Sequence, residues 1–130
     1  LYPAVARRAG HRCEYFRAPE VVFNSTFEVE HVLPISLGGT DEPDNLALAC
    51  RSCNGHKAAA VTAADPDTGE VVSLFNPRAD RRGDHSRYDP DSGTVDGLTA
   101  TGRATVARLD MNRPVQLAAR VLWVQLRLFP

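Results

Sequence analysis

The chain has 130 residues, of which 43% are apolar and 24% charged, with a net charge of −1 at pH 7. That suits one globular domain, burying roughly two-thirds of the surface an unfolded chain exposes. No apolar run approaches the ~20 residues of a membrane-spanning helix, no basic-then-apolar start suggests a secretory leader, and no overall basic field announces a polyanionic partner.

The local pattern is less even. Acids cluster at Asp41 to Asp44, Asp65 to Glu70 and Asp80 to Asp96, whereas from Gly97 onward five arginines face one acid, Asp110. Fourteen of the fifteen basic residues are arginine, and Lys57 is the only lysine. Three cysteines with a single Cys-x-x-Cys argue against a disulfide scaffold and for a metal site or buried thiols in a reducing compartment, which we expect to be the cytoplasm.

In chain order, residues 3–9 favour a helix, with Pro3 in its first turn and Gly10 as a stop. A short knuckle-like stretch from His11 to Phe16 follows, broken by Pro19. Phe27 to Leu33 alternates and predicts a strand closed by Pro34. Gly38-Gly39 and Asp41 to Asn45 predict a polar loop, Leu46 to Ala49 a second strand and Arg51 to Ala60 a helix. Asp65 to Gly69 is a turn signal, and Val71 to Phe75 predicts a strand halted by Asn76-Pro77. Short strands are expected near Ser86–Tyr88 and Thr94–Val95. Thr101 is the expected cap of a helix reaching Leu109. Pro114 starts a last helix to about Leu128, with Val115, Ala118, Ala119, Leu122 and Leu126 as its buried stripe. Arg113, Arg120 and Arg127, seven apart, are expected on its wet face.

The central stretch carries the chemistry. Hydrolysis of a phosphodiester needs a base, a divalent cation and a group that orients the base. His31 is the natural base, because histidine is largely neutral at pH 7, and activity is expected to fall on acidification. Glu30 offers a hard oxygen to Mg²⁺, Asn54 a second, and Asn45 a hydrogen bond to the imidazole. Lys57, three residues after Asn54 and on the same helical face, is a candidate phosphate contact. Strict strand alternation sets Glu30 and His31 on opposite faces, so the pair can serve one site only where the strand end is irregular.

Glu30-His31, Asn45 and Cys50-x-x-Cys53-Asn54 resemble the HNH endonucleases in both order and spacing. Farther on, Asp65-Pro-x-Thr-Gly-Glu70, Leu74-Phe-Asn-Pro-Arg78, Gly97-Leu-Thr and Gly102-Arg-Ala-Thr resemble a bacterial HNH subgroup. The resemblance implies an α+β fold with a ββα-metal core over about residues 11–60, flanked by an N-terminal helix and by a C-terminal extension over about 70–130 with its own helices, all in one domain over 1–130. It also implies a DNA endonuclease with His31 as general base, Asn45 positioning it, and Glu30 and Asn54 as ligands of the catalytic cation.

Members of the family pair such cysteines with an earlier Cys-x-x-Cys around a structural Zn²⁺. Here the earlier pair reads Cys13-Glu-Tyr-Phe16, so Cys13, Cys50 and Cys53 are the candidate zinc ligands and Phe16 stands where the fourth would be. Zinc prefers four ligands, and His11, His56 or a water could supply the last. Two other classes are carried beside the enzyme: a non-catalytic nucleic-acid-binding module on the same scaffold, and a zinc-knuckle interaction domain.

Overall fold

The protein is described by a computed structural model covering Leu1 to Pro130. Helices and small antiparallel strand pairs are mixed, as an α+β arrangement requires. Helix α1 (Tyr2–Arg8) is followed by the knuckle. Strand β1 (Glu28–His31) pairs antiparallel with β2 (Leu46–Ala49) in the register Glu28 to Ala49, Glu30 to Ala47 and His31 to Leu46. All four residues of β2 are buried, because α1 and α2 both pack against this strand pair, and so its sequence is a continuous apolar run rather than an alternating one.

Helix α2 (Arg51–Lys57) starts with the Cys50 side chain accepting from the Cys53 amide and stops at Ala58, whose φ of 48° is left-handed. It is shorter than the expected run to Ala60. Beyond it, β3 (Thr62–Ala64) and β4 (Val71–Ser73) form a hairpin across the Asp65–Gly69 turn, β3 being a strand too short to show in the sequence. A single-turn helix, α3 (Arg82–His85), leads into the pair β5 (Ser86–Tyr88) and β6 (Val95–Gly97). Helix α4 (Ala100–Arg108) is capped by Thr99, whose hydroxyl accepts from the Gly102 amide at 3.0 Å, and not by Thr101.

The tail motifs act as staples. Asp65 accepts both Nε (3.0 Å) and Nη2 (2.8 Å) of Arg103, tying the β3–β4 turn to α4. Thr105 accepts the Phe75 amide at 2.8 Å, and Arg78 pairs with Glu14, whose other carboxylate oxygen accepts the Leu48 amide at 2.8 Å. A Cβ on Gly102 would lie 1.8 Å from the His85 carbonyl oxygen, so only glycine lets α4 pass that close.

Helix α5 (Pro114–Gln125) is turned over relative to expectation. Trp123 is buried, edge-on to Phe16 at 5.9 Å, and Arg120 is fully buried beside it. Val115, Leu122 and Leu126 are instead 66%, 56% and 65% exposed. An aromatic ring buries more apolar area than the aliphatic positions opposite, so the side carrying Trp123 takes the core. The expected arginine stripe is absent too: Arg120 is interior, and Arg127 lies beyond the helix end. One buried cluster runs from Val5 to Phe129 and includes all three cysteines.

Candidate active site

Strand β1 sends its acids towards α2. Glu30 Oε1 meets the Lys57 ammonium at 2.6 Å, and Glu30 Oε2 accepts the Tyr15 hydroxyl at 2.6 Å. Only 4% of the Glu30 side chain and 2% of the Lys57 side chain are exposed. Lys57 also donates to the Val32 carbonyl at 3.2 Å. The expectation of Lys57 at a phosphate is therefore corrected: its ammonium is committed inside, where a buried charge needs an opposite charge and hydrogen bonds. Burial and the Glu30 carboxylate hold the Tyr15 hydroxyl far above its usual range, so Tyr15 remains a donor. One turn earlier on α2, the Asn54 amide nitrogen bonds the Glu28 carboxylate.

His31 leaves the strand on the other side. Its Nε2 lies 2.7 Å from Oδ1 of Asp41, with the histidine side chain 26% exposed. Asn45, expected beside the imidazole, does not touch it. The Asn45 amide nitrogen instead donates to the carbonyls of Leu33 (3.0 Å) and Thr40 (2.9 Å), and its oxygen accepts the Leu33 amide at 2.9 Å. Both ends of the side chain are spent on backbone, closing the loop that presents Asp41. Gly39 is part of that closure, since a Cβ there would sit 1.7 Å from the Leu33 oxygen. Asn45 thus bears on His31 through the loop.

Although Glu30 and His31 point apart, both border one shallow depression, together with Pro34, Asn54 and Ala58. Each Glu30 oxygen takes one hydrogen bond and keeps a lone pair. Asn54 spends its nitrogen on Glu28, which leaves its oxygen as an acceptor. A carboxylate, an amide oxygen and an imidazole at one opening form a donor set that a hard divalent cation accepts.

On the other side of α2, the sulfurs of Cys13, Cys50 and Cys53 lie within 4.8 Å of one another, all buried, and could hold a metal ion. Burial opposes ionisation of Cys13, but hydrogen bonds from Cys50 and Cys53 outweigh it and hold this thiol well below its usual value. Cys50, sharing its hydrogen bond with Cys13, is pushed up to about 12, and burial pushes Cys53 up as well. No histidine completes the trio: His11 Nδ1 is on Glu20 at 2.8 Å, and His56 Nδ1 is on the Ser52 carbonyl at 2.7 Å. Phe16 offers a ring, and above that ring, 4.3 Å from its centroid, sits the Arg120 guanidinium. Burial lowers the Arg120 pKa to about 10, an effect partly offset by Cys53.

Three polar partners escaped the sequence reading. Asp41 stands in an acidic loop beside Glu42 and Asp44, with nothing to single it out. Tyr15 lies in the knuckle, far along the chain from Glu30. Glu28 had a usable signal, because alternation places it on the same strand face as Glu30.

Comparison with curated proteins gave no match, and comparison with solved structures gave none either. A protein-family model does match: HNH endonuclease, over residues 11–59. That segment contains both the depression and the cysteine trio, and over it the chain is similar to the HNH endonucleases.

Proposed function

We propose that this chain hydrolyses phosphodiester bonds of DNA with the help of Mg²⁺, and that residues 1–130 act as one domain, since one buried cluster runs through them. The observation that carries the reading is the convergence of Glu30, His31 and Asn54 on one open depression inside the family segment. His31 takes a proton from the attacking water, and Asp41 orients the imidazole through the contact at Nε2. Asn45 keeps the Asp41 loop closed, and Glu30 and Asn54 are the ligands for the cation. When bound, Mg²⁺ supplies charge stabilisation on the phosphoryl and leaving oxygens. Tyr15 and Lys57 hold the Glu30 carboxylate in one orientation.

For the cysteine trio the ion we assign is Zn²⁺, which favours thiolates. Cys13, Cys50 and Cys53 fit three of its four positions, and no protein donor fits the fourth. None of the proposed hydrolytic residues belongs to the trio.

One observation favours the second reading, a non-catalytic nucleic-acid-binding module: the Lys57 ammonium already neutralises Glu30. Nicking of supercoiled plasmid separates the two. The enzyme reading expects nicking with Mg²⁺, none with chelator, and at least a ~100-fold loss in His31→Ala. Retained DNA binding without cleavage under any divalent cation would select the binding module.

A further inference from the structure

A second cavity, of about 310 Å³, shares no lining residue with the depression at His31. Its wall carries Arg17, Arg82 and Arg87 together with Ser86, Tyr88 and Phe129, and no Asp or Glu side chain lines it. None of the three arginines is in an ion pair, although the chain has acids to spare. Arg82 gives Nη2 to the Glu14 carbonyl at 2.7 Å, while its Nε is buried with no partner. Burial and then repulsion from Arg17 pull the Arg82 pKa down to about 10. Like charges brought together around a cavity, with a buried donor unspent, leave a place for an anion with several acceptor oxygens.

We infer that this cavity is a nucleotide-phosphate site, in which the Arg17, Arg82 and Arg87 guanidinium groups take the phosphate oxygens and the Tyr88 ring faces the base. Guanidinium forks match phosphate oxygens bidentately. Tyr88 is edge-on to Phe129 at 4.9 Å, which braces its ring for stacking. The volume lies at the low end for small-ligand sites and suits one nucleotide better than an extended groove. The phosphate has two sources, a nucleotide of a bound strand or a free mononucleotide. The inference rests on the nucleic-acid reading for the first source and on hydrolysis for neither.

The test is Arg17→Gln combined with Arg87→Gln, two side chains outside any ion pair, with Arg51→Gln, an exposed arginine away from the cavity, as control. Circular dichroism checks the fold. Calorimetry follows binding of deoxyadenosine monophosphate, and anisotropy follows a labelled DNA duplex across a salt series in chelator, where nothing is cut. The double variant is expected to bind the mononucleotide about tenfold more weakly and to flatten the slope of log affinity against log salt by about 2, one per arginine. Loss of mononucleotide binding alone supports the site and names the free nucleotide as occupant. A flattened duplex slope alone supports it with the strand as occupant. Wild-type behaviour of the double variant in both assays overturns the inference, as does an equal effect of Arg51→Gln. Plasmid nicking is scored separately, so the nuclease reading can fail or stand without this one.

Discussion

Around His31 the polar groups are held by one another and by backbone: Glu30 by Lys57 and Tyr15, His31 by Asp41, Asn45 by three main-chain contacts. Around Cys13, by contrast, three buried sulfurs lie beside Phe16, whose ring packs edge-on to Trp123 and under the buried Arg120 guanidinium. Helix α2 serves both regions, with Cys50 and Cys53 on the knuckle and Asn54 and Lys57 on strand β1. The contrast teaches that the two regions need not share a source of rigidity. Ion coordination can be weakened at the knuckle while the acid and histidine keep their places through hydrogen bonds.

The sharpest way to break that contrast is Phe16→Cys, which restores a fourth sulfur. Losing a buried ring costs about 3 kcal/mol, whereas a complete structural zinc site contributes roughly 10 kcal/mol or more. The zinc-free variant should therefore melt below wild type and the zinc-loaded variant above it. Metal content should rise to one zinc per chain, with a larger drop in Tm on chelation than wild type shows. Equal chelator sensitivity in the two proteins would mean that three sulfurs already suffice and that Phe16 replaces nothing.

Next in size is Lys57→Met. It strands Glu30 in a site where only 4% of the side chain reaches solvent, and removing one partner of a buried pair costs about 3–5 kcal/mol. Pairing it with Glu30→Gln should recover most of that loss, because the uncompensated charge is gone. Urea unfolding at pH 7 reads both. An unchanged midpoint in Lys57→Met would show that the polar region is not braced by this pair.

These partners also mark where a sequence stops being informative. The strand that carries Glu30 and His31 and the helix start at the Cys-x-x-Cys are legible because each lies within a few residues of a turn or cap that fixes its direction. Lys57 shares its helical face with Asn54 as the spacing predicts, but it meets Glu30 rather than a phosphate, since nothing in the chain says that β1 lies across that face. Asn45 is expected at His31 but bonds the loop backbone, because an amide between two bends finds carbonyls nearer than an imidazole. Helix α5 was located by Pro114 and its periodicity, yet both of its faces carry apolar residues, and burial of Trp123 decided between them. The tail motifs read as a turn, a strand and a family resemblance, but the contacts of Asp65 with Arg103 and of Thr105 with the Phe75 amide have no signal in the chain. Pairings between distant elements are not visible in local pattern.

The smallest effect concerns Asp41, and it sharpens the contrast on the polar side. Asp41 is exposed and touches only the imidazole edge, so removing it should leave Tm nearly unchanged. If it orients His31, Asp41→Ala should lower kcat roughly tenfold with KM unaltered, since a misaimed base loses transition-state interactions rather than substrate binding. Asp41→Asn keeps an oxygen in place and should fall between the two. A rise in KM at constant kcat would assign Asp41 to substrate contact instead. No change in either constant would mean that His31 is aimed by the strand end alone, and that the Asn45 loop serves the fold rather than the base.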